Sequence, residues 1–136
     1  MKVMLDEGAF MPTRAHKYDA GLDLYSPISF RVPAKGSLTI DSGVHVAIPA
    51  GYVGLLQSKS GLNVNHSILS DGVIDAGYTG SIRVKLYNHS YDDFQGRRGD
   101  KISQLVILPC SLNIVELVDE LEQTERGNNG FGSTGR

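Results

Sequence analysis

The sequence predicts an all-β protein, and three observations support this fold class. Apolar residues alternate with polar or small residues at a period of two, which is typical of strands with one buried face. Proline and glycine interrupt these runs at short intervals, as they do in sandwiches, jelly rolls and barrels. No window sustains the 3.6-residue period of a long amphipathic helix.

The predicted elements follow from these runs in chain order. The mostly apolar residues 1–5 predict a first strand. Further strands are predicted over residues 28–32, 38–40, 44–48, 53–55 and 82–86, and over 102–108, which is apolar enough to be buried on both faces. One short helix is predicted over residues 60–68. Residues 116–125 are acidic and polar and form a predicted arm that leads to the glycine-rich residues 126–136.

Length and composition indicate one domain of ordinary globular type. The chain has 136 residues, of which 40% are hydrophobic and 21% are charged. We divide it into a β-barrel body, residues 1–115, and a mobile C-terminal arm and lid, residues 116–136. A net charge of −2 argues against general nucleic-acid binding, which favours a basic surface. No apolar run has membrane length and the lone Cys110 suits a reducing compartment, so we expect a cytoplasmic protein.

Four segments of the body carry polar groups that a simple strand or turn does not explain. Asp23 lies inside an apolar strand, where a carboxylate needs a partner. Residues 57–62 supply a lysine, hydroxyls and backbone N–H groups that suit phosphate oxygens, although without P-loop spacing. Residues 71–80 predict a glycine-bounded hairpin with Asp75 near its tip, and Gln104 interrupts a later apolar strand. Taken singly, each has a structural alternative: a paired acid, a solvated turn, an Asx-turn or an edge contact.

The tail, residues 126–136, has the composition of a phosphate grip with a stacking platform. It contains four glycines and two arginines. Glycines let backbone N–H groups approach phosphate oxygens, and arginines offer forked donors to them. Phe131 has no apolar neighbour in the sequence and suits the face of a base. A frayed, solvated terminus is the alternative interpretation.

Taken in order, these five segments resemble the five motifs of the trimeric deoxyuridine triphosphatases (dUTPases). The matching stretches are AGLDLYS at 20–26, SKSGL at 58–62, GVIDAGYTG at 72–80, GDKISQL at 99–105 and RGNNGFGSTG at 126–135. The resemblance implies a jelly-roll-like β-barrel, or β-clip, that assembles as a homotrimer with shared active sites. It also implies hydrolysis of dUTP to dUMP and pyrophosphate, which keeps uracil out of DNA and supplies dUMP for thymidylate synthesis.

The resemblance assigns the third motif to the nucleoside and to the attacking water. Asp75 falls on the catalytic acid, which holds the water and accepts its proton. Tyr78 packs against the deoxyribose and leaves no room for a 2′-hydroxyl group. The backbone at Val73 and Ile74 reads the uracil edge, and Arg83 contacts the substrate through its backbone.

Other motifs of the body are assigned to the phosphates. Lys59, Ser60 and Gly61 match phosphate binders of the second motif, and Gln104 matches an amide that contacts the α-phosphate. Asp23 orders the basic residue of the second motif or a metal-bound water. The family commonly has arginine in place of Lys59, so the charge is kept here but the bidentate fork is lost.

The tail would close over the substrate. Arg126 would clamp the terminal phosphate, Phe131 would stack on uracil, and Gly132 and Ser133 would wrap the triphosphate. Each site would take the tail of a neighbouring subunit, carried there by the arm. The family uses Mg²⁺ held by the triphosphate and waters, with no direct protein ligand, and the scattered histidines of this chain suggest no other metal site.

Two alternative functions stay open from the sequence. A dCTP deaminase shares the fold, but it needs a glutamate near the base, and Asp75 with the glycine-rich tail argues against it. A nucleotide-gated signalling or repressor-binding protein on the dUTPase scaffold belongs to a different class. The sequence shows no large insertion that would support it.

Overall fold

The computed structural model describes residues 1–130, and in that part of the chain strands dominate. The strands are β1 Lys2–Leu5, β2 Gly21–Tyr25, β3 Phe30–Val32, β4 Ser37–Asp41, β5 Val44–Ala47, β6 Tyr52–Gln57, β7 Ile68–Leu69, β8 Asp71–Ile74, β9 Arg83–Asn88, β10 Phe94–Gly96 and β11 Lys101–Pro109. The helix is α1 Ser60–His66. The all-β prediction is therefore confirmed, and each predicted strand has a counterpart.

Every strand pairing in residues 1–130 is antiparallel, and the strands form four small sheets. The largest has the order β2-β11-β6-β8, and a three-stranded sheet has the order β4-β9-β7. The pairs β1-β5 and β10-β3 complete the set. The last strand, β11, lies between β2 and β6, so it brings three distant parts of the chain together.

The core follows from the alternation along the strands. In β9, Val84 and Leu86 are fully buried while Arg83 and Lys85 are exposed. The same period places buried aliphatic side chains from most strands in one cluster. Full burial of an aliphatic side chain stabilises the fold by about 1.5–3 kcal/mol, so this alternation is the main driving force for the architecture.

The short helix forms where the sequence predicts it but ends two residues earlier. Ser67 adopts a left-handed conformation with φ of 55°, which stops the helix. Its backbone N–H donates to the carbonyl oxygen of Asn63. The chain then enters β7 directly. No helix in residues 1–130 is long and apolar enough to cross a membrane.

The prediction of a hairpin over residues 71–80 is wrong. Strand β8 pairs with β6, whereas β9 pairs with β4 and β7. The intervening residues therefore pass from one sheet to another instead of turning back along the same ladder. We call residues 75–82 the crossover loop. Because the loop is not part of a two-stranded ladder, its backbone groups are available to other partners.

The prediction that residues 102–108 are buried on both faces holds only for the first half of β11. Ile102 and Ser103 on opposite faces are both buried, but Leu108 is 42% exposed. The strand extends past the core, so its second half keeps one open face.

Beyond β11 the described chain has no helix or strand from residue 110 to 130, and residues 111–130 are exposed. The large apolar side chains of this segment are exposed too. They are Leu112, Ile114, Val115, Leu117, Val118 and Leu121. The division of the chain at residue 115 stays a prediction, since the last strand already ends at Pro109.

Candidate active site

Five of the residues expected to bind or act on the substrate line one surface cavity. It has a volume of about 260 Å³ and is bounded by Val73, Ile74, Asp75, Tyr78 and Arg83. The end of β8, the crossover loop and the start of β9 each contribute to its wall. Asp75 is exposed and follows the buried Ile74 directly, so its carboxylate stands at the edge of the core.

Hydrogen bonds inside the crossover loop fix Tyr78. Its backbone N–H donates to the carbonyl oxygen of Asp75 at 3.0 Å, and its hydroxyl donates to that of Ser81 at 2.9 Å. The ring lies directly against Gly80, where an added Cβ would stand 2.5 Å from the tyrosine oxygen. A side chain at residue 80 would displace the Tyr78 ring, so glycine here lets the ring form a wall of the cavity.

The far end of the crossover loop is anchored to β5 and to the turn before it. The backbone N–H of Ile82 donates to the carbonyl oxygen of Val44 at 2.8 Å. In return, the Ser42 backbone N–H and its hydroxyl both donate to the carbonyl oxygen of Ile82, the hydroxyl at 2.7 Å. Ser42 is fully buried, so this end of the loop is attached to the core.

The side chain of Arg83 is positioned by Asp41 at the end of β4. The guanidinium Nε lies 3.5 Å from Asp41 Oδ2, and the hydroxyl of Ser81 donates to Oδ1 of the same carboxylate. The Ser81 hydrogen bond, with help from the Gly43 N–H and Arg83, holds the pKa of Asp41 below its usual range despite partial burial. The expectation for Arg83 concerned its backbone, which lies in β9 next to the cavity.

A second group of predicted residues surrounds the buried Asp23, which is only 3% exposed. Lys59 donates to its Oδ1 at 2.5 Å, and Lys101 Nζ lies 2.7 Å from Oδ2. We call these three residues the lysine cluster. The predicted role of Asp23 in ordering the base of the second motif therefore agrees with this contact.

The lysine cluster is electrostatically asymmetric, with two ammonium groups on one carboxylate. Burial pushes the pKa of Asp23 upward, but the contacts with Lys101 and Lys59 outweigh it and hold the pKa below its usual range. The same contact raises the pKa of Lys101. Both lysines stay partly exposed, so the cluster presents a net positive charge to solvent.

Lys101 was not among the residues that the sequence identified. It stands in the fourth motif, as the first residue of β11, the strand that contains Gln104. The signal that could have found it is that a buried carboxylate has two oxygens to satisfy, whereas Lys59 reaches only one. The pairing of β11 with β2 brings Lys101 to the other oxygen.

Gln104 is held across the same sheet. Its Nε2 donates to the carbonyl oxygen of Ser58 at 3.1 Å. Its side chain also lies against Gly21, where an added Cβ would collide with Oε1. The hydroxyl of Ser58 in turn donates to the carbonyl oxygen of Ser70 at 3.0 Å and accepts from the Ser70 backbone N–H at 2.8 Å. Ser58 was thus a further residue that sequence reasoning did not assign.

Ser60 and Gly61 open α1 directly after Lys59, whose backbone is extended. Both are exposed, and a Cβ added at Gly61 would meet nothing within 4 Å. The first backbone N–H groups of a helix lack intrahelical partners and favour anions. The lysine cluster, Gln104 and this helix start therefore form one polar, electropositive surface.

Within one chain the cavity and the lysine cluster lie at opposite ends of the β6–β8 ladder. Gln57 pairs with Asp71 and Gly54 pairs with Ile74. Lys59 follows the first pair and Asp75 follows the second, which separates them by about 20 Å at about 3.3 Å per residue. The structure therefore brings the predicted residues together as two groups, not one.

The described part of the tail, residues 126–130, has no hydrogen bond or ion pair with the cavity residues or the lysine cluster. Arg126 is exposed, and its Nε donates to the carbonyl oxygen of Asn129 inside its own turn at 3.0 Å. The predicted binders Phe131, Gly132 and Ser133 lie outside the described residues. Residues 1–130 also contain no group of three His, Cys, Asp or Glu side chains placed to hold a metal ion.

Comparison with known proteins places the chain in a family. A family model described as dUTPase matches residues 7–135. The chain is 44% identical over 132 residues to a deoxyuridine 5'-triphosphate nucleotidohydrolase of Arabidopsis thaliana, covering 96% of this chain and 80% of that protein. It is 40% identical over 134 residues to the corresponding protein of Clostridium acetobutylicum, covering 96% and 92%.

Solved structures give the same answer for the fold. A dUTPase of Staphylococcus bacteriophage 80alpha with dUPNHPP superposes with a TM-score of 0.93 at 33% identity, covering 99% of this chain and 98% of that one. A mutant dUTPase of phage phi11 of S. aureus, described with a structural Mg(II) ion, superposes with a TM-score of 0.83 at 33% identity, covering 90% and 98%. Because the match extends over nearly the whole chain at both the sequence and the structural level, the chain belongs to the dUTPase family.

Proposed function

We infer that this chain hydrolyses dUTP to dUMP and pyrophosphate, with Asp75 as the general base. The observation that carries this inference is the cavity lined by Val73, Ile74, Asp75, Tyr78 and Arg83. Membership of the dUTPase family indicates the substrate, and the relatives of this chain are named for dUTP hydrolysis. It also favours the hydrolase over the dCTP deaminase.

The cavity suits a deoxynucleoside. Selection against an added hydroxyl needs a wall that does not yield, and the Tyr78 ring meets that need because Gly80 supports its face and Ser81 holds its hydroxyl. Strand β8 lies at the edge of its sheet, so the outward-facing backbone groups at Val73 and Ile74 suit the edge of a uracil ring. A methyl group on that ring would have to enter the same confined space.

Asp75 would act on water at the open side of the cavity that it lines. An exposed carboxylate next to a fixed wall can accept a hydrogen bond from the attacking water and take its proton as the bond to the α-phosphorus forms. Pyrophosphate then leaves with the electrons of the broken P–O bond. Asp75 is the carboxylate that lines this cavity.

The lysine cluster and its neighbours suit the triphosphate. Lys59 is ordered by Asp23, and Ser60 and Gly61 present a helix start beside it. Gln104 adds an amide whose position is fixed by Gly21 and Ser58, and it would face the α-phosphate. These groups would offer positive charge and N–H donors to the phosphates, and no cluster of metal-binding side chains accompanies them in residues 1–130.

These residues bind phosphate oxygens and not a cation, which fits Mg²⁺ that reaches the site on the triphosphate. Mg²⁺ usually keeps several waters and is held by phosphates with one or two carboxylates, so a cluster of protein ligands is not required. When bound, the ion would neutralise phosphate charge. The residues of this chain would orient the triphosphate against Asp75.

We further propose a homotrimer in which each active site is shared. The cavity of one copy and the lysine cluster of the same copy are about 20 Å apart by strand register, so neither is complete alone. The exposed apolar side chains between residues 112 and 121 would be covered by a neighbouring copy. Arg126, Phe131, Gly132 and Ser133 would then close over a neighbour's substrate.

Substrate specificity and solution mass test these proposals together. With dUTP and Mg²⁺ the protein should release pyrophosphate, and UTP and dTTP should be nearly inert. Equal turnover of the three nucleotides would contradict the role of the cavity, and ammonia release from dCTP would restore the deaminase. A monomer with full activity would contradict the shared site.

Truncation tests the lid. A chain ending at Glu125 should fold and assemble as the full chain does, yet lose most of its turnover. A fully active truncated chain would contradict the assignment of Arg126 and Phe131. The signalling alternative predicts instead a protein partner whose capture depends on a non-hydrolysable dUTP analogue.

A further inference from the structure

His45 connects the crossover loop to the N-terminal strand region. It lies on β5 with its side chain 17% exposed. Its Nδ1 is 2.8 Å from the carbonyl oxygen of Thr79, and its Nε2 is 3.2 Å from Oδ1 of Asp6. Both partners are acceptors, so both bonds exist together only when both ring nitrogens carry protons.

The bond to Thr79 adds an anchor to the crossover loop at the residue next to Tyr78. Ser42 and Val44 hold the loop at residue 82, and Asp41 holds the hydroxyl of Ser81. The internal bonds of Tyr78 join it to Asp75 and Ser81, which belong to the loop itself. His45 is therefore the side-chain attachment from β5 to Thr79, the residue that directly follows Tyr78.

We propose that His45 is a positioning residue, which in its doubly protonated form holds the Tyr78 wall in place and so sharpens rejection of ribonucleotides. This role rests on the proposed dUTP hydrolysis. His45 does not touch the cavity lined by Asp75 and Tyr78; it acts through the backbone of Thr79.

The charges around the ring favour the protonated form. The Thr79 carbonyl raises the pKa of His45 most, followed by Asp6, with Asp41 adding a smaller attraction and partial burial opposing it. Lys2 and His45 both line an apolar cavity of about 210 Å³, and Lys2 is the cationic residue among those that line it. The tether is complete below the pKa of His45. As the pH rises through that pKa the ring keeps one proton, and the charged Asp6 carboxylate holds this proton on Nε2 more strongly than the neutral Thr79 carbonyl holds it on Nδ1, so the bond to Thr79 is the one that is lost.

Three variants separate this role from simple packing. We would measure kcat/KM for dUTP and for UTP in the wild type, H45Q and H45A, between about pH 5.5 and about pH 8.5, a range that spans ordinary histidine titration. Glutamine carries an amide that can donate to Thr79 at any pH. Alanine cannot donate, and His89→Gln serves as the control because His89 is exposed and its ring has no hydrogen-bond partner within residues 1–130.

The expected readout is the ratio of the two kcat/KM values. In the wild type the preference for dUTP should fall by about two- to tenfold as the pH rises, the effect of one hydrogen bond. H45Q should keep a preference that does not change with pH, and H45A should show the lower preference throughout. Dividing the wild-type preference by the H45Q preference at each pH removes pH effects that do not come from His45. A wild-type to H45Q ratio that is independent of pH would overturn the proposal.

A measurement on the ring itself keeps the test independent of activity. Imidazole nitrogen chemical shifts should show that His45 stays doubly protonated above the ordinary histidine pKa of about 6.5, and D6N should move its titration midpoint down. If the wild type does not hydrolyse dUTP but the ring titrates as described, the proposed function fails and the tether stands. If the His45 ring loses its second proton at the ordinary histidine pKa and D6N changes nothing, the tether fails whatever the activity.

Discussion

In the crossover loop the geometry depends on several backbone hydrogen bonds and one glycine contact, whereas in the lysine cluster it depends on charge. Tyr78 is held by Asp75, Ser81 and the surface of Gly80. Asp23 is held by two ammonium groups and is nearly inaccessible to solvent. Loss of one bond in the loop leaves several others, but loss of the carboxylate leaves two cations facing each other. The two regions should therefore respond very differently to substitution and to pH.

The largest effect is expected at the one group of the loop that reacts. Asp75→Asn keeps the size of the side chain but removes the proton acceptor, so kcat should fall by about 100- to 10,000-fold. Binding of a non-hydrolysable dUTP analogue should persist, because the cavity wall is unchanged. Steady-state pyrophosphate release and calorimetric titration measure the two quantities.

Asp71→Asn is the matched control for that substitution. Asp71 is an exposed carboxylate at the other end of β8, so its loss should leave kcat near the wild-type value. Wild-type turnover in Asp75→Asn would show that the loop shapes the site without supplying its base.

The second effect is on stability and concerns the lysine cluster. Asp23→Asn leaves Lys59 and Lys101 without their counter-charge in a mostly buried site, which should lower the free energy of unfolding by about 3 kcal/mol. Urea denaturation measures this loss. Asp93→Asn, which breaks the exposed pair with Arg31, should change stability far less. Equal losses of unfolding free energy in the two variants would show that burial does not make the Asp23 contacts more stabilising than an exposed ion pair.

The stabilisation from the lysine cluster should also depend on acid pH, because it depends on the charge of Asp23. Because the lysine contacts hold the pKa of Asp23 below that of an unfolded aspartate, its stabilising contribution is complete above the unfolded pKa. It is lost as the pH falls through the folded pKa. The difference in unfolding free energy between wild type and Asp23→Asn should therefore shrink in strong acid, as urea titrations at neutral and acidic pH would show. A constant difference would mean that packing, not charge, sets the cost.

How far the sequence predicts each region depends on whether the cause is local. An apolar strand containing Asp23 requires a cation, and the prediction that Asp23 orders the base of the second motif agrees with its contact with Lys59. The alternation that builds β9 is likewise a local property. Lys101 could not be assigned in the same way, because it reaches Asp23 only through the pairing of β2 with β11.

The crossover loop shows the other limit. A glycine-bounded segment with polar residues predicts a hairpin from local turn chemistry, but the flanking strands pair elsewhere. Nor does the sequence reveal that Asp75 and Lys59 lie at opposite ends of a ladder, since that separation follows from the register of β6 with β8. Both are tertiary outcomes, decided by which strands bury their apolar faces against each other.

The smallest effect should come from removing one of the several bonds that hold the loop. Tyr78→Phe loses only the hydrogen bond to the Ser81 carbonyl, while the ring keeps its support from Gly80. The preference for dUTP over UTP should therefore fall by only about two- to threefold, the value of one exposed hydrogen bond. Tyr52→Phe is the control, because Tyr52 is similarly exposed, at 42% against 44%, on β6. A much larger loss in Tyr78→Phe would mean that the hydroxyl acts on the substrate itself, and the loop would then resemble the lysine cluster in depending on a single group.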